Sequence, residues 1–115
     1  MDRVILSTVF KIFIELPSFL KSWNKIGLSE EDLWELEDFL AENPESGDTV
    51  AGTGGLRKIR WAAKGKGKRG GARVCYVDFV RREKLYFIAA YSKNDKSDVS
   101  SEEKAQIKKL IDQLK

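Results

Sequence analysis

The chain has 115 residues, 21 Lys and Arg against 18 Asp and Glu, one cysteine and no histidine. That length suits one domain, 1–115, built on a single modest core, and twelve aromatic residues with 42% apolar composition argue against general disorder. Without histidine and with only Cys75, a zinc site and an internal disulfide are both ruled against, and any catalysis must use lysine, arginine, tyrosine or carboxylates.

The first segment, "MDRVILSTVFKIFIELPSFLKSW", is apolar, but Arg3, Lys11, Glu15 and Lys21 interrupt it. No apolar run reaches the roughly 20 residues that span a bilayer, and no small-residue cleavage pattern follows an uncharged core. A cytoplasmic chain without membrane contact is expected. Residues 9–16, "VFKIFIEL", read as a strand that Pro17 ends. In "SFLKSWNKIG", Phe19, Leu20 and Trp23 fall at helical spacing and Gly27 is a stop signal. In "LSEEDLWELEDFLAENP", Ser29 can cap a helix, acids fill its first turn, and Leu33, Leu36, Phe39 and Leu40 make one face. Its acidic outer side reads as a solvated face that also turns polyanions away. Pro44 ends it, and "PESGDTVAGTGG" reads as an irregular connection.

"LRKIRWAA", residues 56–63, alternates as Leu56, Lys58 and Arg60 against Arg57, Ile59 and Trp61, a strand with basic residues on both sides. "ARVCYVDF" and "KLYFIAAYS" read as stronger strands joined as a hairpin near "VRREK", with Cys75 a buried thiol. In the last segment Ser100 and Glu103 have capping-box spacing, and Ile107, Leu110, Ile111 and Leu114 form an apolar stripe. This order predicts an α+β fold: an antiparallel sheet with an N-terminal helical hairpin and a C-terminal helix packed on it. The economical arrangement puts all helices on one face and leaves the other for basic side chains.

The small net charge hides a division. Residues 1–50 hold four basic and eleven acidic side chains, and residues 51–115 hold seventeen basic and seven acidic. Residues 51–73 alone have eight basic groups and no acid. Such asymmetry points to a polyanion partner for the second half. Its densest part is "AAKGKGKRGGAR", residues 62–73. Gly65, Gly67 and Gly70 match G-x-G-x-x-G, but they lead into a strand rather than a helix, so a nucleotide cofactor is not expected. A hairpin loop remains, in which Lys64, Lys66, Lys68 and Arg69 crowd together as a phosphate-contacting surface. Arg57, Lys58, Arg60 and Arg73 lie on the adjoining strands. If the last two strands pair, Tyr91, Lys93 and Lys96 leave the sheet beside this loop. An aromatic among cations is how single-stranded RNA is held.

The combination of "GTGGLRKIR", "KGKGKRGGAR" and "YSKNDKSD" resembles the HigB-type branch of the RelE/ParE toxin superfamily, over about residues 29–114. The resemblance implies a curved antiparallel sheet and a bacterial type II toxin–antitoxin module. It implies an mRNA endonuclease acting on translating ribosomes, needing neither metal nor cofactor. It also implies a cognate antitoxin that usually carries a helix-turn-helix domain. In such a reaction the RNA 2′-OH attacks the adjacent phosphate, leaving a 2′,3′-cyclic phosphate and a free 5′-OH. Arg73 matches the family's sheet arginine and would contact that phosphate. Lys64, Lys66 and Lys68 are candidates for base or phosphate contact, Tyr91 for stacking or proton transfer, and Lys93 and Lys96 for the basic exit. One departure stands out: the RelE branch has a tyrosine soon after this exit, where this chain has Ser100. Two other readings fit the same residues, a ParE-like gyrase inhibitor and a non-catalytic RNA- or ribosome-binding module.

Overall fold

The computed structural model describes residues 2–5, 11–62, 71–92 and 99–115. Strands β1 (Asp2–Ile5) and β2 (Lys11–Glu15) precede helices α1 (Pro17–Ile26) and α2 (Glu30–Glu42). Strands β3 (Asp48–Thr49), β4 (Arg57–Ala62), β5 (Gly71–Phe79) and β6 (Lys84–Ser92) follow, and α3 (Ser101–Leu114) closes the chain. The expected helices and main strands are present. The pair β1 and β3 is additional.

The helix ends follow from local chemistry. Pro17 opens α1, where its missing N–H costs no helical bond. Gly27 closes it at φ 97°, a conformation that glycine adopts without strain. Ser29 and Asp32 form a full capping box on α2, as Ser100 and Glu103 do on α3, each satisfying two end donors.

The six strands make one sheet in the order β1-β2-β6-β5-β4-β3. Every pairing is antiparallel except β2 with β6, which is parallel because α1 and α2 begin the long crossover that returns the chain to the sheet. A bulge at Cys75/Tyr76 shifts the β5–β6 register.

Both faces of the sheet are covered, which corrects the expectation of helices on one face only. On one side Phe13, Ala72, Val74, Tyr76, Leu85, Phe87 and Ala90 pack with Phe19 and Trp23 of α1 and Leu33, Leu36 and Leu40 of α2. Phe19, Phe87 and Phe13 stack in a row there, with ring centroids 4.9 and 5.8 Å apart. On the other side Leu56, Cys75, Val77, Ile88 and Tyr91 pack with Val99 and with Ile107, Leu110, Ile111 and Leu114 of α3. The reason lies in β5 and β6, which are apolar at both parities; a strand of that kind must be buried on both faces.

The 50–56 segment feeds β4 at the α3 side. Thr53 is fully buried; its hydroxyl donates to the Val50 carbonyl (2.6 Å) and accepts from the Leu56 N–H (3.1 Å). Gly54 and Gly55 have φ of 79° and 125°, and Gly54 lies against Lys108, Ile111 and Asp112 of α3. The "GTGG" motif is thus a tight turn that seats β4 next to the C-terminal helix.

Candidate nucleic-acid site

Strand register brings three of the expected residues into one row. Arg60 of β4 is paired with Arg73 of β5, and Arg73 with Tyr91 of β6. Neighbouring strands lie about 4.8 Å apart, so these are direct side-chain neighbours. Alternation puts the row on the α3 side, because Ile59 and Trp61 pack toward the α2 side, as Ala72 and Val74 do. Lys58 shares that side one rung further along, opposite Cys75.

The row stores repulsion. Two guanidinium groups directly across a strand pair disfavour the fold. Among the described residues no carboxylate forms an ion pair with either arginine. Arg60 is exposed and Arg73 half-buried, so both reach solvent. An arriving phosphate would relieve this repulsion and accept bidentate hydrogen bonds from a planar guanidinium.

Tyr91 differs from its row partners. It is only 6% exposed and belongs to the cluster with Cys75, Val77, Ile88 and Val99. Its ring therefore offers no open face for a base to stack on. Its hydroxyl oxygen is buried as well, so Tyr91 neighbours Arg73 in register without presenting ring face or hydroxyl to solvent.

The row sits at one end of the sheet. Ala62 pairs with Gly71, so the 63–70 segment springs from this end, and Ser92 pairs with Ala72, so the 93–98 segment leaves from it too. Lys64, Lys66, Lys68, Arg69, Lys93 and Lys96 lie outside the described residues.

Arg57, expected among the RNA contacts, is on the opposite side of the sheet. Its Nη1 donates to the carbonyls of Gly47 (2.8 Å) and Glu45 (3.3 Å). Tyr76, its cross-strand partner, serves the same loop: its hydroxyl donates to the Pro44 carbonyl (2.7 Å) and accepts from the Gly47 N–H (2.9 Å). Burial pushes the Tyr76 phenol above its ordinary value, against the opposing pull of the Gly47 bond and of Arg57. The residue has no sequence signal beyond strand alternation, since its partners are backbone groups some 30 residues away.

Among the described residues there is no group of three or more Cys, Asp or Glu able to hold a metal, and no helix is long and apolar enough to cross a membrane.

The family model for the RelE toxin of the RelE/RelB toxin–antitoxin system matches residues 11–115. The chain belongs to the RelE toxin family. Among solved structures, an arginine-to-alanine double mutant of the E. coli toxin RelE in the free state is similar at 19% identity. The match covers 86% of this chain and 95% of that one, with a TM-score of 0.54. That likeness shows a shared α+β fold. In this RelE-family chain strand register places Arg60, Arg73 and Tyr91 in one row.

Proposed function

We propose that this RelE-family protein is a HigB-like toxin, with residues 1–115 acting as one toxin domain, that cleaves mRNA on translating ribosomes. Its partners in this reading are mRNA, ribosomal RNA and a cognate antitoxin carrying a helix-turn-helix domain. The observation that carries the reading is the Arg60–Arg73 pair. Two arginines with no carboxylate partner among the described residues are held side by side at the sheet end from which both lysine-rich segments depart.

The chemistry follows from the groups available. The 2′-OH attacks the adjacent phosphorus, the bond from phosphorus to the 5′-oxygen breaks, and the 2′ proton and the leaving oxygen need a base and an acid. Arg73, half-buried and fixed by strand pairing on both sides, contacts the phosphate and offsets the charge of the phosphorane. Arg60, more exposed, holds the neighbouring backbone, as Lys58 does further along. Tyr91, buried beside Arg73, braces the strand that carries it. Lys64, Lys66, Lys68 and Lys93 are the candidates for the base, since mutual repulsion among lysines favours the neutral amine. Arg69 and Lys96 complete the RNA contact.

The test is 5′-end mapping of mRNA in a reconstituted translation reaction. New ends that require both ribosomes and Arg73 are expected. Arg73→Ala should lower their rate by about 10²–10³, the loss typical for removal of one preorganised electrostatic donor, with thermal stability no lower than the wild type's, since it also removes the Arg60–Arg73 repulsion. Translation that stops without new ends would identify a non-catalytic ribosome binder. Translation that continues, with DNA damage instead, would identify a gyrase inhibitor.

A further inference from the structure

The 50–56 segment does more than connect β3 to β4. Connections usually run over the surface, yet Thr53 and Leu56 are both fully buried. The Thr53 hydroxyl donates to the Val50 carbonyl and accepts from the Leu56 N–H, while the Val50 N–H donates to the Leu56 carbonyl at 2.9 Å. These bonds join Val50, Thr53 and Leu56 into a closed ring, in which the hydroxyl serves both other members. Gly54 rests on α3 and Gly55 on Val77 of β5, so the ring is seated where β4, β5 and α3 meet. Leu56, locked by it, is the residue from which β4 starts.

Strand β4 needs that anchor. On its inner side every residue from Arg57 to Ala62 pairs with β5, but on its outer side β3 pairs only with Arg57 and Lys58. No strand among the described residues pairs with the outer edge of 59–62. Arg60 stands in this one-sided stretch, and the like charge of Arg73 opposite pushes it and β4 outward. A strand pushed from within and unsupported from without keeps its place by its inner ladder and by its fixed start. Thr53 is 0% exposed and cannot touch RNA, so any effect it has on the site passes through β4.

We propose that Thr53 is a positioning residue: its hydroxyl locks the start of β4 and so keeps Arg60 opposite Arg73 against their repulsion. The consequence for cleavage rests on the nuclease reading, whereas the positioning itself does not.

The experiment compares Thr53→Val, which keeps the shape and removes the hydroxyl, with Thr53→Ser, which keeps the hydroxyl, each with and without Arg60→Gln. In the mRNA end-mapping reaction Thr53→Val should raise KM about tenfold, within the ~10² that a misplacement of about 1 Å is able to cost. It should lower the salt dependence as Arg60→Gln does, and add nothing in the Arg60→Gln background, because both act on one contact. Thr53→Ser should restore wild-type values. Denaturant midpoints read the positioning without any nuclease assay. Arg60→Gln relieves the repulsion and should raise the midpoint of the wild type, and should raise that of Thr53→Val clearly less, since there β4 has already yielded. Gly54→Ala strains the same turn at φ 79°; it should raise KM in the same direction, and it takes the place of Thr53→Val in both cycles if that variant does not fold. A lowered midpoint with wild-type KM and salt dependence, and an undiminished Arg60→Gln shift, would make the hydroxyl a structural bond only and overturn the proposal. A wild type that cuts no mRNA would remove the nuclease reading, and the midpoints alone would then uphold the positioning or overturn it.

Discussion

The Tyr76 hydroxyl bridges the Pro44 carbonyl and the Gly47 N–H, closing the chain that leaves α2 onto β5. Gly47 is fitted to it: a Cβ there would stand 2.9 Å from the ring and the hydroxyl of Tyr76. Tyr76→Phe keeps the ring but leaves a buried N–H and a carbonyl without this partner, so it should cost about 1–3 kcal/mol. The phenol also sets an alkaline limit. Its folded value lies above the unfolded one, which is near 10. The folded state therefore holds this proton more tightly than the unfolded chain. That contribution is complete below about pH 10 and is lost as pH rises through 10 toward the folded value. Denaturant unfolding from pH 8 upward should show wild-type stability falling more steeply above about pH 10 than that of Tyr76→Phe. Parallel curves would show that the fall belongs to other groups.

At the scale of elements, the parallel strand β2 is tied to the rest of the sheet by an ion pair. Lys11 Nζ meets Asp78 Oδ1 at 2.5 Å, with side-chain exposures of 6% and 7%. Asp78 is on β5, so the pair reaches across β6, which lies between the two strands. Removing one partner strands a buried charge, so Lys11→Met alone should cost about 3–5 kcal/mol. Lys11→Met with Asp78→Leu should recover most of that loss, since an apolar pair needs no desolvation repaid; thermal melts of the two single variants and the double variant decide it. Elements also divide what a sequence reader can see. Caps and apolar stripes are local, so α2 and α3 were legible from Ser29, Ser100 and the leucines and isoleucines behind them. β3, two residues long, is too short to show a period. The parallel β2–β6 pairing depends on partners about 70 residues apart. The cover over the second face was readable in part: Cys75 and Val77 are apolar at the opposite parity from Val74 and Tyr76, which signals burial on both sides. Arg60, Arg73 and Tyr91 were readable as candidate site residues by type. Their common row was not, because it depends on a register that the Cys75/Tyr76 bulge shifts; that Arg57 faces away from Lys58 and Arg60 was readable from alternation, but its carbonyl partners at Glu45 and Gly47 were not.

Across the whole molecule, charge is sorted by the sheet. Among the described residues Glu31, Glu35, Asp38 and Glu42 of α2 stand on one side, and Lys58, Arg60 and Arg73 on the other, with Arg57 an exception on the α2 side. On the proposed reading a polyanion is turned away from the first side and drawn to the second, an effect that salt weakens. Under the nuclease reading, log kcat/KM for mRNA should fall linearly with log salt, by about 0.7 for each phosphate contact made to a single strand. Arg60→Gln should lower that slope by about one such increment and slow cleavage evenly across sequences, since a backbone contact carries no base information. Arg57→Gln is the control from the opposite face. Its guanidinium is engaged with Glu45 and Gly47, so its loss should lower stability and leave the slope as it was. Salt series on the three proteins separate these effects directly. A slope reduced equally by both variants would mean that RNA touches both faces of the sheet, and the assignment of the site to the α3 side would have to be given up.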